Sequence, residues 1–589
     1  MRRGTIHAAC CSIAACIAMG APQTQDPLAD NLKPDVTVEG IPDNIWVTGS
    51  MAKVQPNASP GQGRFAELAA ARNEFESFQI HVHARGRPIQ LQVNAGDFVN
   101  AKTGDRIPAE QNVEVYREAY LTVTNVSDRN GMKGLVPDGL IPGTDRYFHE
   151  QRKGFPVTIP EGETRSVWVD VFVPPKTPSG YYVGIVNLRD GDNPIARVPA
   201  RLKVWNFDLP STATLRSAFG LGYATFAGFA YGDHANFARY PGAKGSPDLG
   251  LALMHATIAA FFLDHRVSIS AVAIKPTYPH KDWREFDSIY GALLNGQADT
   301  LLAGAKLTSF DYANGGANPS PDEVDLKDWQ THFENKGWLP RLFEYLCDEP
   351  PAGCKWDSIG PRATIYRNAA PGMKVLVTTD IALAREHGLL DAIDILSPTI
   401  DQMHPLAGAN QRPTYDEWLK QPGKELWWYQ SCDQHGSCED GKPGPKSSTW
   451  PSYMVDASPV RNRIFQWMAY LYGIHGELYY ATDMWGDHPW DHLYYAGGNG
   501  DGVLFYPWTA EQVGGRTPIP VASIRLKLIR DGMEDYEYLA ALARTGETQL
   551  ISDAVRSFIT NATTFKDDAA TLAAARDKLG TALHRRSLR

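Results

Sequence analysis

KVLVTTDIALAREHGLLDAIDILS, residues 374–397, contains two short apolar runs on either side of a helix-like segment. The runs at 374–378 and 393–397 have the length and β-branched content of buried strands, and 381–387 predicts the helix between them. Parallel neighbouring strands need a long connection, usually a helix, that returns the chain to the end at which the first strand began. Two strands joined by a helix are therefore expected to run parallel to each other. The stretch therefore predicts one β–α–β unit of an α/β domain.

The same alternation of strands and helices continues on both sides of this unit. Repetition of this kind over about 300 residues is typical of a (β/α)8 TIM-type barrel, and we assign the catalytic barrel to 211–519. Strands are predicted at 267–273, 305–310, the end of 338–346, 425–429 and 476–480, and helices at 249–265, 287–304, 361–369 and 460–472.

The regions before and after the barrel have different patterns. Short alternating runs separated by turn residues, such as Pro174-Pro175 and Asp190-Gly191, predict an N-terminal β-sandwich over 41–210. Apolar residues at helical spacing from Val521 onward predict a helical C-terminal region, 520–589, that packs on the barrel. The sandwich strands are expected at 75–82, 113–123, 165–173, 181–188 and 196–205.

Composition limits the classes of partner. The chain has 589 residues with 57 Lys and Arg against 67 Asp and Glu, a formal net charge of −10. An acidic chain without a basic tract is a poor match for nucleic acid or for an anionic membrane surface. The 15 Trp and 25 Tyr are a weak indication of sugar binding, because these side chains stack on pyranose rings as well as filling cores.

The first 25 residues have the pattern of a signal peptide or lipoprotein leader. Arg2 and Arg3 precede an apolar run over 6–19, which is too short to span a bilayer. The segment 13–16, IAAC, resembles a lipobox in which Cys16 would carry a lipid anchor, and cleavage near Gly20 is the alternative. We expect export to the periplasm or cell surface, a linker at 26–40, and no membrane span.

Four cysteines remain after the leader, in two close pairs. In an oxidising compartment the simplest pairing is Cys347–Cys354 and Cys432–Cys438. Zinc is the alternative for four cysteines, but the CxxC spacing of structural zinc sites is missing. Disulfides across such short loops mainly fix the shape of the loop.

The most distinctive local motif is FEYLCDEPP, residues 343–351, in which a strand runs into two adjacent acids. Neighbouring side chains on a regular strand point to opposite faces, so Asp348 and Glu349 can share a site only if the strand breaks there. The prolines that follow predict that break. Barrel enzymes place catalytic groups at the carboxyl ends of strands, which favours a paired catalytic role. Two solvated acids in a loop are the alternative interpretation.

Several segments resemble glycoside hydrolase family 123, the β-N-acetylgalactosaminidases, and the bacterial proteins that share its catalytic domain. The resemblance implies a β-sandwich followed by a barrel, a glycan substrate and no cofactor or metal. It also implies retaining, substrate-assisted hydrolysis in which the acid pair does the work. The matching segments are ARNEFESFQ (71–79), LCDEP (346–350), ELWWY (425–429), YYATDMW (479–485), GDGVLFYP (500–507) and SIRLKLIRDGMEDYEYL (523–539).

The chemistry of that mechanism assigns a role to each acid. The 2-acetamido oxygen of the sugar attacks its own anomeric carbon, so the enzyme supplies no nucleophile. Asp348 is expected to orient the acetamido N–H and offset the charge of the oxazolinium. Glu349 is expected to protonate the leaving oxygen and then to deprotonate water.

Further residues at predicted strand ends are candidates for sugar binding. Their alternative roles are core packing for the aromatic side chains and structural hydrogen bonds for the acids. Trp427 and its neighbour Trp428 are expected to point in opposite directions, so at most one of them faces the sugar. The substrate-binding candidates are Trp427, Tyr429, Trp485, Asp401 and Asp483.

Other activities remain open from the sequence. The same scaffold could cleave a glycoside that has no acetamido group, or the chain could be a non-catalytic glycan-binding surface protein. A metal-dependent hydrolase is a further alternative, since 487–492 contains two Asp-His pairs, although Pro489 argues against a helical metal site there. The glycine-rich stretch 497–502 is expected to be a turn.

Overall fold

The computed structural model of the chain describes residues 26–29, 32–222, 228–270, 282–312, 322–435, 438 and 449–588. The predicted leader, including Cys16, lies outside the described residues. Within them, a sheet-rich N-terminal region is followed by a parallel barrel and a helical C-terminal region.

The N-terminal region is a sandwich of two sheets. The first sheet has the strand order β1-β3-β10-β7-β8, and the second has β2-β12-β11-β4-β9 with β5 and β6 at its side. Every pairing is antiparallel except that of β2 with β12. The strands are β1 (Ile45–Gly49), β2 (Ala66–Arg72), β3 (Glu74–His83), β4 (Ile89–Ala95), β5 (Phe98–Asn100), β6 (Arg106–Ile107), β7 (Val113–Val123), β8 (Gly134–Pro142), β9 (Val157–Ile159), β10 (Thr164–Val173), β11 (Gly180–Asp190) and β12 (Asn193–Asp208).

The alternation seen in the sequence fills the space between the two sheets. Val167, Val169 and Val171 of β10 point inward and meet Leu202 and Val204 of β12 in one buried cluster. Burial of such side chains is worth roughly 1.5–3 kcal/mol each, so the local pattern also sets the register. The five predicted sandwich strands are confirmed, and β7 has the predicted bounds.

The barrel consists of parallel strands in the order β13-β19-β18-β17-β16-β15-β14. Inward-facing side chains, among them Ala218, Phe343, Leu376 and Leu478, form a separate cluster inside it. The strands are β13 (Arg216–Phe219), β14 (Phe310–Asp311), β15 (Leu342–Cys347), β16 (Lys374–Val377), β17 (Ile395–Leu396), β18 (Glu425–Tyr429) and β19 (Gly476–Tyr479).

A short extended segment closes the gap between the two edge strands. Ile269 forms a parallel bridge with Phe219 of β13, and the amide of Asp311 in β14 donates to the Ser270 carbonyl at 3.0 Å. The eighth position of the barrel is therefore held by a bridge where the sequence predicted the start of a regular strand. The remainder of the predicted strand 267–273 lies partly outside the described residues.

Helices connect the barrel strands and cover them on the outside. The predicted helix over 287–304 is wrong in its bounds, because the chain forms two short helices and leaves helical geometry at Gly296, where φ is 75°. The α-helices are α1 (Ala109–Asn112), α2 (Pro247–Asp264), α3 (Trp283–Ile289), α4 (Gly291–Asn295), α5 (Glu323–Asn335), α6 (Trp356–Ala369), α7 (Ile381–Glu386), α8 (Ile400–Met403), α9 (Asp416–Leu419), α10 (Pro459–Arg463), α11 (Phe465–Leu471), α12 (Ile524–Arg544), α13 (Thr548–Arg556) and α14 (Ala569–Ser587).

Three small antiparallel pairs complete the strands. The first two follow β19 and precede α12, and the third lies between α13 and α14. They are β20 (Tyr494–Tyr495) with β21 (Gly498–Asn499), β22 (Phe505–Tyr506) with β23 (Val521–Ala522), and β24 (Ile559–Asn561) with β25 (Thr564–Phe565).

Helix α12 lies between the barrel and the sandwich and is joined to the sandwich by buried ion pairs. Arg530 makes two hydrogen bonds to Asp170 of β10, at 2.7 and 2.8 Å, and Lys527 makes another at 2.8 Å. Burial alone would raise the pKa of Asp170, but the two cations hold it well below its usual range. Arg525 pairs with Asp138 of β8 at 2.8 Å in the same way. The C-terminal region thus packs on the sandwich as well as on the barrel.

No helix among the described residues combines the length and the apolar character that crossing a bilayer requires.

Asp170→Asn is expected to lower the free energy of unfolding by about 3–5 kcal/mol, because it leaves Lys527 buried without its counter-ion and Arg530 with Asp531 alone. Chemical denaturation followed by tryptophan fluorescence measures the change. Glu417→Gln is the control, since its pair with Lys420 is exposed and should contribute under about 1 kcal/mol. Equal stability of the two variants would contradict the importance of the buried pairs.

Candidate active site

The acid pair stands where β15 leaves the barrel. Asp348 and Glu349 directly follow the strand, and both side chains are exposed. Glu349 has a φ of 40°, in the left-handed region that residues with a Cβ rarely adopt, at a typical cost of about 1–3 kcal/mol. This conformation ends the alternation of the strand, so the two adjacent side chains are not forced onto opposite faces.

A tight turn follows the pair and is closed by a disulfide. The Gly353 amide donates to the Asp348 carbonyl at 2.9 Å, and the Ala352 amide donates to the Glu349 carbonyl at 2.8 Å. A Cβ at Gly353 would lie 2.2 Å from the Asp348 carbonyl oxygen, so only glycine fits there. The predicted Cys347–Cys354 bond is confirmed, with its Cα atoms 5.7 Å apart.

Hydroxyl groups from β15 and from the end of β16 hold Asp348. The Tyr345 hydroxyl donates to Oδ1 at 2.6 Å and the Thr378 hydroxyl donates to the same oxygen at 3.1 Å. Thr378 also accepts the Glu349 amide at 2.7 Å, so one side chain contacts both acids. Burial, together with the Asp348 carboxylate, raises the pKa of Tyr345 well above its usual value and keeps it a donor.

Tyr429, the last residue of β18, holds the second acid. Its hydroxyl donates a short hydrogen bond to Glu349 Oε1. Burial first, and then the charge of Glu349, raise the pKa of Tyr429 far above its usual value, so the phenol stays protonated. Asp348 and Glu349 are thus brought together by side chains from three strands, at the carboxyl end of the barrel.

The predicted aromatic walls lie deeper than the sequence suggested. Trp427 points into the barrel but is 1% exposed, and its indole donates to Glu425 at 2.9 Å. Trp428 points outward and packs on Phe465 with ring centroids 4.9 Å apart. The expectation that these two point in opposite directions is confirmed, whereas contact of Trp427 with a sugar stays a prediction.

Trp485 is also enclosed. It is 7% exposed, its indole N–H donates to the Phe505 carbonyl at 2.8 Å, and its ring packs against Phe229 and Phe505 at centroid distances of 5.7 and 5.0 Å. Its predicted contact with substrate likewise stays a prediction.

The two outlying acids sit in different environments. Asp401, on α8, accepts the Gln434 side-chain amide at 2.5 Å and is half-buried. Asp483 is 1% exposed and accepts the Gly222 amide at 2.7 Å with Oδ1, while its Oδ2 has no hydrogen-bond partner in the described part of the chain. Burial raises the pKa of Asp483 to about 6. No contact of Asp401 or Asp483 with the acid pair is found among the described residues.

The Cys432–Cys438 bond is confirmed as well, with Cα atoms 5.0 Å apart. It encloses Gln434, which binds Asp401, and His435, whose Nε2 lies 3.3 Å from Asp501 Oδ2. No sequence motif predicts a role for His435, for Asp501 or for the two hydroxyl groups around Asp348. Inward alternation on β15 could have pointed to Tyr345, but the pairing of His435 with Asp501 has no local signal.

Within the described residues, no group of three or more His, Cys, Asp or Glu side chains has the arrangement of a metal site. The Asp-His pairs of 487–492 place the rings of His488 and His492 6.0 Å apart.

Comparison with known families assigns this part of the chain. Residues 323–542 match the family model for the catalytic domain of glycoside hydrolase 123. This part of the chain is similar to a glycoside hydrolase 123 catalytic domain. The resemblance found in the sequence is confirmed, and the matched range contains β15, β18, β19 and all but the last two residues of α12, including the acid pair. A comparison with curated proteins found no match.

One solved structure shows the same fold, and a second aligns more weakly. A family 123 glycoside hydrolase from Clostridium perfringens, described for the hydrolysis of glycolipid glycans, aligns with a TM-score of 0.63 and 15% identity, covering 92% of this chain and 97% of that one. A family 39 glycoside hydrolase from Bacteroides cellulosilyticus aligns with a TM-score of 0.27 and 13% identity, covering 74% of this chain and 77% of that one. The first of these shows that sandwich, barrel and C-terminal region together form one known architecture.

Tyr429→Phe is expected to lower kcat for glycoside hydrolysis about tenfold with little change in KM, because Glu349 loses the donor that fixes its carboxyl group. Steady-state kinetics on an aryl glycoside measures the effect. Tyr470→Phe, a half-buried tyrosine on α11 next to Tyr536, is the matched control. An unchanged kcat in Tyr429→Phe would mean that this contact does not position the acid.

Proposed function

We propose that this glycoside hydrolase removes terminal β-linked N-acetylgalactosamine, or a related N-acetylhexosamine, from glycans by retaining, substrate-assisted hydrolysis. The observation that carries the proposal is the convergence of Asp348 and Glu349 at the barrel mouth, each held by a different hydroxyl donor. The family match supports glycan hydrolysis, and the geometry of the pair supports this particular mechanism.

Asp348 has the geometry to orient the acetamido group. Tyr345 and Thr378 both donate to its Oδ1, and no hydrogen bond to Oδ2 is formed within the described residues. Oδ2 can therefore accept the acetamido N–H of the sugar. A carboxylate at that position turns the acetamido oxygen toward the anomeric carbon and offsets the positive charge that develops on the ring.

Glu349 has the geometry of a proton donor. Tyr429 donates to Oε1 and fixes the orientation of the carboxyl group, which carries the proton when it is neutral. In the first step the acetamido oxygen bonds to C1, the C1–O bond to the leaving group breaks, and the Glu349 proton moves to the leaving oxygen. In the second step water attacks C1, Glu349 takes its proton, and the oxazolinium ring opens with net retention.

The two acids need opposite protonation states at the start of the reaction. Charge on one of two close carboxyl groups disfavours charge on the other, because the ionised forms repel each other. The proposed mechanism assigns the negative charge to Asp348 and the proton to Glu349.

We also propose that the protein works outside the cytoplasm. Both disulfides lie at the barrel mouth, and stable disulfides are typical of exported proteins. The leader-like segment 1–25 supports the same location, with a lipid anchor at Cys16 as one form of attachment.

Glu349→Gln is expected to lower kcat about 10²–10⁴-fold on glycosides with poor leaving groups, because no proton reaches the departing oxygen. The loss should shrink as the leaving group becomes more acidic, which a series of substituted phenyl β-GalNAc substrates measures. Glu386→Gln, an exposed glutamate at the end of α7, is the control. A loss that does not vary with the leaving group would remove Glu349 from the acid role.

GalNAc-thiazoline, a mimic of the oxazolinium intermediate, is expected to inhibit competitively, and Asp348→Asn is expected to weaken that inhibition at least about tenfold because the amide cannot offset the charge. Inhibition constants for wild type and variant test this directly. Cleavage of a β-galactoside without an acetamido group, together with no response to the thiazoline, would favour a different glycosidase mechanism on the same scaffold.

A further inference from the structure

Exposed aromatic and apolar side chains follow β19 at the barrel mouth. Tyr480, Met484 and Tyr495 are each 41% exposed, in contrast to the enclosed Trp427 and Trp485. Large apolar side chains left open to solvent beside a catalytic site are typical of ligand contact.

Tyr480 is positioned next to the acid pair by strand order. Leu478 of β19 faces the barrel interior, and Tyr480 is the next position with the same parity. In the sheet register Leu478 pairs with Tyr429 of β18, whose hydroxyl holds Glu349. Tyr480 therefore lies at the mouth, one strand beyond Tyr429.

The strand order also sets which side of the site Tyr480 lies on. Asp348 is held from β15 and the end of β16, whereas Glu349 reaches across to β18. Tyr480, which directly follows β19, is therefore on the Glu349 side. Since Glu349 is the group that protonates the leaving oxygen, the leaving group departs on that side.

The glycine-rich turn predicted at 497–502 supports this tyrosine. A Cβ at Gly502 would lie 2.5 Å from the Tyr480 hydroxyl oxygen and 2.8 Å from Met484 Cγ, so the tyrosine rests directly on the glycine. Burial first, and then the charge of Asp501, raise the pKa of Tyr480 far above its usual value, so Asp501 lies close to this hydroxyl and keeps it protonated. Asp501 is 1% exposed, and it accepts a second hydrogen bond from Tyr479 at 3.2 Å.

A second loop contacts Asp501 from the other side. His435 is fully buried, and its Nε2 lies 3.3 Å from Asp501 Oδ2. His435 belongs to the segment closed by Cys432–Cys438. Two loops far apart in the chain thus meet at Asp501, whose charge acts on the Tyr480 hydroxyl.

Resting on the function proposed above, we propose that the Tyr480 ring is the surface on which the first ring of the leaving group stacks, and that Asp501 and His435 are positioning residues for it. The occupant is a sugar ring of the glycan, presenting its C–H face to the phenol, with Met484 and Tyr495 at the edge of the contact. Tyr480 is therefore a determinant of leaving-group specificity.

Tyr480→Ala is expected to lower kcat/KM for 4-nitrophenyl β-GalNAc about tenfold, because the leaving ring loses its stacking surface. The inhibition constant of GalNAc-thiazoline, which has no leaving group, should stay within about twofold of wild type. Tyr480→Phe keeps the ring but loses the hydroxyl beside Asp501, so its loss of kcat/KM should be smaller than that of Tyr480→Ala and should match that of Asp501→Asn. Tyr470→Ala serves as the control for loss of a tyrosine away from the mouth.

Asp501→Asn and His435→Gln test the positioning role. Each should lower kcat/KM on the aryl substrate mainly by raising KM, and each should leave the thiazoline constant unchanged. A structural defect would instead lower kcat and weaken thiazoline binding together, and that result would remove the positioning role.

The experiment separates this inference from the proposed function. If wild type neither cleaves the aryl glycoside nor binds the thiazoline, the proposed function is wrong. If wild type cleaves the aryl glycoside and binds the thiazoline, the effect of Tyr480→Ala decides. Tyr480 does not contact the leaving group if the variant lowers kcat/KM and thiazoline affinity by the same factor, or lowers neither of them.

Discussion

Buried ion pairs on α12 hold the catalytic barrel against the sandwich, and the position of the active site depends on them. Arg525 pairs with Asp138 and Arg530 with Asp170, and both pairs are buried between α12 and the sandwich. Pairing of buried charges is directional, so it fixes how the two domains sit as well as that they adhere. The longest segment of family resemblance, 523–539, is thus the joint between domains and contains no group of the acid pair.

At the active site the limiting constraint is geometric. Two adjacent residues of a strand cannot both face one ligand, and the left-handed conformation of Glu349 resolves this at a cost in backbone strain. The turn through Gly353 and the Cys347–Cys354 bond hold that conformation in place. The strain lies where the chemistry requires it, since a single break supplies both the acid and the carboxylate.

Local pattern predicted the parts of this protein that local sequence determines. The predicted bounds of strands such as β7 and β18 agree with the observed bounds within a residue or two, because the residue pattern of a strand and its flanking turns are local features of the sequence. The adjacency of Asp348 and Glu349 was also visible, since it lies in one motif. How deep each side chain lies in the barrel could not be predicted from the sequence. The alternation of side chains along the strand showed that Trp427 and Trp428 diverge, but only the structure shows that Trp427 lies below the barrel mouth.

Contacts between side chains of distant segments were not predicted from the sequence. Tyr345, Thr378 and Tyr429 meet around the acids because β15, β16 and β18 curve around a common axis, which no window of residues records. The pairing of His435 with Asp501 is of the same kind, and it turns an apparently plain glycine turn into a support for Tyr480. The helix predicted at 287–304 is wrong in its bounds for a local reason. The chain leaves helical geometry at Gly296, where the backbone is in the left-handed region that glycine adopts easily.

The Cys432–Cys438 crosslink has a practical implication for handling this enzyme. It encloses the two side chains, Gln434 and His435, that tie the loop to Asp401 and Asp501. Thiol reductants, or synthesis in a cytosol rich in glutathione, would reduce this disulfide while leaving the hydrophobic interior of the barrel intact. Because reduction would also break Cys347–Cys354 beside the acid pair, catalytic constants measured on a reduced preparation would differ from those of the disulfide-bonded protein.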